Sequence, residues 1–204
     1  MAGWRQAGNF PPALPVLAGV SQMARQVHCF EVVEGQEWLL PTDGEDYERF
    51  FAMDGTVIRD WAPPTMALLT HREDGRPTTY SDFPWLGEHA PIFRARAVEQ
   101  LGKIAEGYGQ LLPLRGEEAW LYNVTNVLDA LDQERARITY FDDGSILAVE
   151  RYAFKAEAIQ AAEIFKLPGR ASPVFVTDQF VARVRDSGLA GVSFRSLAGL
   201  QNPE

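Results

Sequence analysis

Few residue types in this chain could do chemistry, and their spacing limits what they could do. The histidines are His28, His71 and His89. No two stand four apart, the spacing that sets two metal ligands on one helical face. His71, Glu73 and Asp74 are neighbours in sequence, but they fall in a polar loop where solvated charges are the expected reading. Asp142 and Asp143 precede Gly144 and are explained by a turn. The single cysteine, Cys29, follows His28 in a strand-like run. Adjacent strand residues point to opposite faces, so this pair does not form a nucleophile and its base. A buried structural thiol is expected. There is no Ser-centred nucleophile elbow, no phosphate loop and no dinucleotide fingerprint. Asn123-Val124-Thr125 fits a glycosylation sequon but lies at a strand end, where a chance match is expected. No catalytic residue, metal or cofactor is assigned.

The clearest polar feature is an acidic stretch. Glu31, Glu34, Glu37, Asp43, Glu45, Asp46, Glu48 and Asp54 face one base, Arg49, so eight acids against one arginine leave −7. The formal charge of all 204 residues is −9, so most of the imbalance sits here. That balance argues against a general nucleic-acid binder or an anionic-membrane binder, both of which need clustered Lys and Arg. The stretch reads first as a solvated face. Its second reading is a steering surface for a basic partner. Tyr47, Phe50 and Phe51 interleave with the acids and could serve the core or an interface. Trp61-Ala62-Pro63-Pro64 and Asp82-Phe83-Pro84-Trp85 read as loops pinned by their aromatic side chains.

The elements that position these groups follow from periodicity. Gln26 to Val33 reads as a strand, as does Met66 to Thr70. Glu34 to Asp60 reads as turn-rich, with Pro41-Thr42-Asp43-Gly44 as a turn signal. Ile92 to Tyr108 reads as a helix, because Phe93, Ala97, Val98, Leu101, Ile104, Ala105 and Tyr108 make one apolar stripe. Gly107 and Gly109 end it. Gln110 to Arg115 and Ala119 to Val124 read as strands, and Asn126 to Leu131 as a helical turn. Asp142-Asp143-Gly144 joins Ile138–Phe141 to Ile146–Phe154 as a hairpin. Ala156 to Ile164 reads as helix and Val174 to Val176 as strand. Thr177 is the expected cap of a helix that buries Phe180, Val181 and Val184 and ends at Gly188. Gly191 to Leu197 is the last strand. This order lacks a regular βαβ rhythm, so the expected class is α+β, with mixed, largely antiparallel sheets and a few packed helices.

A 46% hydrophobic content supports a sizeable core, and the charged share of 23% is ordinary for a globular chain. One cysteine is compatible with a reducing compartment, and a cytoplasmic location is expected. No run approaches the roughly 20 apolar residues that span a bilayer. Residues 1–22 contain Arg5 and an apolar stretch, Leu14 to Val20, but Pro11, Pro12 and Pro15 interrupt the centre a secretory signal would need. A flexible lead is expected there, with Met23 as an alternative start. Residues 23–204 are expected to form a single α+β domain.

A series of short motifs then carries a resemblance. In order they are Trp61 with Pro63, Asp82-Phe83-Pro84, Leu111-Leu112-Pro113-Leu114, Tyr122-Asn123-Val124 and Asp129-Ala130-Leu131-Asp132. Tyr152 to Phe154, Ile164-Phe165-Lys166, Val174-Phe175-Val176-Thr177-Asp178 with Phe180, and Gly188-Leu189-Ala190-Gly191 with Phe194 follow. Through their order and spacing the chain resembles immunity protein family eleven of bacterial polymorphic-toxin systems, over roughly Gln26 to Leu197. Gln110 stands where the family pattern has an acid, and Ala136 where it often has Ser. The resemblance implies a protein that binds and neutralises a cognate toxin, and it transfers no catalytic residues. On that reading the expected contacts are Glu45, Asp46, Tyr47, Glu48 and Phe51, facing a protein toxin that could be basic. Two other classes stay open: a hydrolase using His71, Asp82 and His89, and a regulatory interaction module with no toxin.

Overall fold

The computed structural model describes residues 26–159 and 161–199. The expected lead at 1–22 and the alternative start at Met23 lie outside them. Among the described residues there are four helices and eleven strands. The first half holds β1 (Gln26–Glu31), β2 (Trp38–Pro41), α1 (Asp46–Phe51), β3 (Met66–Leu69), β4 (Ile92–Arg94) and α2 (Ala95–Ala105). Then come β5 (Gly109–Pro113), β6 (Ala119–Val124), β7 (Arg137–Tyr140), β8 (Ile146–Arg151) and α3 (Ala156–Ile159). The chain closes with β9 (Ile164–Phe165), β10 (Phe175–Thr177), α4 (Asp178–Asp186) and β11 (Ser193–Gly199). The strands form sheets ordered β11-β1-β10-β9, β2-β3, β4-β6-β5 and β7-β8. Every pairing between named strands is antiparallel, so the expected α+β class holds.

β1 lies inside the largest sheet, which explains its continuous apolar run. Val27 packs with Phe165, Phe175 and Ile159 on one face. Phe30 packs with Val176, Phe180 and Phe83 on the other. A third cluster gathers Leu39, Phe50, Met53, Met66, Ile92 and Leu121 beneath β2-β3 and the central three-stranded sheet.

Several expectations needed correction. The helix expected over Ile92 to Tyr108 begins at Ala95, because Ile92–Arg94 pairs with β6, Ile92 opposite Leu121 and Phe93 opposite Trp120. Phe93 falls on the helical stripe by spacing alone, and three residues cannot distinguish the two periods. Asn126 to Leu131 is extended rather than helical. Leu128 N–H donates to Lys166 O and Lys166 N–H donates to Asn126 O, both at 2.9 Å. Asn126 Nδ2 donates to Ile164 O at 2.8 Å, so the segment lies beside β9. The helix expected over Ala156 to Ile164 stops at Ile159, since Ile164 and Phe165 are fully buried as β9. Packing there overrides helix propensity. Thr177 sits at the cap of α4 but makes no capping bond; its buried hydroxyl has no partner. Asp178 faces β1 instead, accepting from Gln26 N–H at 2.7 Å.

Sequence reading missed β2, α1, β4 and β9. The stretch read as turn-rich contains a strand and a helix. The Asp142-Asp143-Gly144 turn also differs from a two-residue turn. Only Gly144 adopts positive φ, at 82°, and Gly144 N–H donates to Phe141 O at 3.0 Å. A three-residue loop closing on a left-handed glycine fits this pattern.

Candidate partner-binding surface

α1 is nucleated by the turn before it. Asp43 Oδ1 accepts from Glu45 N–H at 3.0 Å, and Tyr47 N–H donates to Gly44 O at 3.3 Å. Phe50 anchors the helix in the core at 1% exposure. Arg49 ties its outer side down. It donates to Asp46 Oδ1 at 2.5 Å and to Ala62 O at 2.7 Å, and its guanidinium lies 4.9 Å from the Trp61 ring centre. Trp61 in turn donates from Nε1 to Pro113 O at 2.7 Å, so that loop is pinned by its aromatic group as expected.

Of the five expected contact residues, Glu45, Glu48 and Phe51 are exposed, and their i, i+3, i+6 spacing places them on one side of the helix. Asp46 is partly buried and taken up by Arg49, and Tyr47 is partly buried. Glu48 is paired with Arg170. Glu37 meets Arg94 at 3.0 Å, and Glu31 lies 4.0 Å from Arg195. Three arginines from outside the acidic stretch therefore offset part of its −7. The sequence could not show this, because each partner is distant along the chain.

Phe51 is 45% exposed and stacks on the His89 ring, with centroids 4.7 Å apart and planes at 13°. Lys166, whose charge reaches His89, is 1% exposed, and its Nζ donates to Met53 O at 3.0 Å. Burial lowers the Lys166 ammonium to about 8, with Asp54 opposing the shift. Burial, aided by the Lys166 charge, lowers His89 to about 4. Its Nε2 is buried without a hydrogen-bond partner. Gly55 follows at φ +94°, and a Cβ there would come within 2.2 Å of Val127 Cγ2. Glycine is thus required where this loop meets the 126–128 segment.

Because the folded His89 pKa lies below its usual value, the fold binds fewer protons than the unfolded chain between about 4 and 6.5. Stability contributed by this group is lost as pH falls through that window. His89→Phe keeps a ring for Phe51 and removes the titration. Urea midpoints measured from pH 7 to pH 4 should fall less steeply in this variant than in the unchanged chain.

The polar residues considered for catalysis are not brought together in one cleft. His71 is exposed, its Nδ1 3.0 Å from Thr70 Oγ1. Asp82 is fully buried and accepts from Ala190 N–H at 2.7 Å, Tyr80 OH at 3.0 Å and Arg96 at 3.2 Å. It latches the 82–85 loop to the segment before β11. A cleft bordered by Phe30, Gln36, Trp85 and Val192 has a free volume of about 10 Å³, room for one water, and none of the three residues lines it. Cys29 is 1% exposed, and burial pushes its thiol up to about 12. His28 points the other way, its Nε2 2.9 Å from Asp178 Oδ1. Among the described residues no group of three or more His, Cys, Asp or Glu is placed to hold a metal, and no helix is long and apolar enough to cross a membrane.

Asn123, the sequon residue, is 1% exposed and donates to Thr56 O at 2.9 Å and to Gln110 Oε1 at 3.0 Å. Gln110 both accepts from Ile58 N–H, at 2.8 Å, and donates to Ile58 O, at 3.0 Å. A carboxylate could not do both, which explains an amide at this position. Lys166 was missed as a feature. Its signal was scarcity, since the chain has only Lys103, Lys155 and Lys166.

No curated protein matches the chain. Pro113 to Gly199, less than half of the chain, matches the model of an immunity protein family, Imm11. Trp61, Pro63 and Asp82-Phe83-Pro84 precede that span, while the motifs from Tyr122 to Phe194 fall within it. The family to which the order of the short motifs points is thus the one whose model residues 113–199 match.

Proposed function

We propose that this chain is an immunity protein that acts in the cytoplasm by binding a cognate protein toxin and blocking it stoichiometrically, without catalysis. The observation that carries this reading is the Imm11 match over residues 113–199. The net charge of −9 supports a basic partner over an anionic one. Residues 23–204 act as one domain in this proposal, with 1–22 as a lead. The outward face of α1 is the steering surface: Glu45 and Glu48 supply charge and Phe51 an apolar contact, while Asp46 and Tyr47 support them from the helix flank. Phe51 rests on His89, so its ring is presented in a fixed position, which lowers the ordering cost of binding.

The test requires a toxin-like gene beside this one, whose encoded domain serves as the probe. The triple variant Glu45→Gln, Asp46→Asn, Glu48→Gln should bind it with an association rate about tenfold slower at low salt, a gap that closes as salt is raised. Stopped-flow fluorescence reads the rate and growth rescue reads protection. If neither changes, α1 is not the steering surface.

A further inference from the structure

The hairpin of β7 and β8 leaves the body of the protein. Ile138 and Val149 face each other across it and pack on the third core cluster. Beyond that pair, every residue from Tyr140 to Ala148 is exposed. Four of the nine are large and apolar: Tyr140 at 47%, Phe141 at 52%, Ile146 at 42% and Leu147 at 53% exposure. Among the described residues β7 and β8 pair with each other and with no other strand, so both outer backbone edges are unpaired there. A two-stranded ribbon is marginal in water, and an apolar one with open edges invites association. Scattered exposed apolar residues need no explanation, but four gathered at the end of one projecting ribbon mark an interaction site.

The charge on the ribbon selects the occupant. Its turn carries Asp142 and Asp143, and no cation pairs with either among the described residues. Asp143 accepts from Ser145 N–H at 2.9 Å and from its hydroxyl at 2.6 Å, which hold the carboxyl below its usual range. The charged pair on the ribbon, Arg137 with Glu150 at 2.6 Å, lies at its base. The tip is therefore apolar flanks around two uncompensated carboxylates. A second copy of a chain with net charge −9 would meet like charge there. A nucleic acid would meet the same repulsion.

We propose that the tip of this hairpin is a second docking element, inserted into an apolar groove with a basic mouth on the protein toxin. The toxin-binding reading underlies this proposal, which adds a separate surface to α1. Tyr140, Phe141, Ile146 and Leu147 fill the groove, Asp142 and Asp143 meet the basic rim, and the ribbon edges offer main-chain bonds.

The test measures affinity of the adjacent-encoded toxin domain for three proteins: the unchanged chain, the variant Tyr140→Ser, Phe141→Ser, Ile146→Thr, Leu147→Thr, and the variant Asp142→Asn, Asp143→Asn. Loss of anchors at an interface centre should raise Kd about 30-fold or more for the first variant. The second should chiefly slow association. Hydrogen exchange of the unchanged chain should show protection at residues 140–148 in the complex. This readout stands even if a variant folds poorly. Unchanged affinity of a folded four-residue variant, or no protection at the hairpin, overturns the proposal and leaves the toxin reading intact. Failure of the unchanged chain to bind overturns both. If sedimentation shows that the unchanged chain is a dimer and the four-residue variant a monomer, the occupant is a second copy and the proposal falls.

Discussion

Phe175→Ala should lower the unfolding free energy by about 3–5 kcal/mol, the range for emptying a buried aromatic site. Phe175 lies in β10 between β1 and β9 and is fully buried. Its ring meets those of Tyr152 at 5.3 Å, Phe154 at 5.4 Å and Phe165 at 5.3 Å. Those rings also touch one another, so they cannot all move into the vacated space. Urea denaturation followed by circular dichroism gives the value. Phe141→Ala is the matched control; at 52% exposure it should change stability by no more than about 0.5 kcal/mol. A cost below about 1 kcal/mol at Phe175 would contradict the packing described for this core.

Lys166 should make stability rise with pH in an unusual window. Its folded pKa, lowered to about 8, lies below the ordinary value of 10.5. Between those values the unfolded chain holds the proton and the fold does not, so deprotonation favours the fold as pH increases. Lys166→Met keeps the length of the side chain and removes the titration. The stability of the unchanged chain relative to this variant should grow from pH 8 to pH 10.5 by up to about 3 kcal/mol. Cys29 acts in the opposite sense. Its folded pKa is raised to about 12, so its stabilisation is present below about 9 and is lost as pH rises further. That effect is common to both proteins and cancels in the difference. Parallel pH curves would mean that Lys166 is not desolvated at neutral pH. The matter bears on binding as well, because Lys166 holds Met53 O and its charge reaches His89, on whose ring Phe51 stacks.

Much of the fold could be read from local pattern. Local pattern places β6 from Ala119 to Val124, as observed, and the apolar stripe it gives for α2 holds from Ala97 to Ala105. What failed depends on long-range partners. Ile92–Arg94 is a strand because Leu121 and Trp120 lie opposite it. Asn126 to Leu131 is extended because Tyr108, Lys155, Ile164 and Lys166 supply its hydrogen bonds. Charge followed the same rule. The acidic stretch was obvious, but its partial neutralisation by Arg94, Arg170 and Arg195 exists only in the fold. The hairpin was predicted from Asp142-Asp143-Gly144, yet the sequence gives no sign that its tip overhangs the core. Alternation says which residues share a face, not whether anything covers it.

The central claim is tested most directly by co-expressing this chain in a test bacterium with the toxin domain encoded beside its gene. Rescued growth together with co-purification of the two proteins in a stoichiometric complex is the predicted result. Rescue without a complex would contradict stoichiometric blocking and favour enzymatic detoxification. No rescue, with folded chain present, would contradict the claim for that toxin altogether.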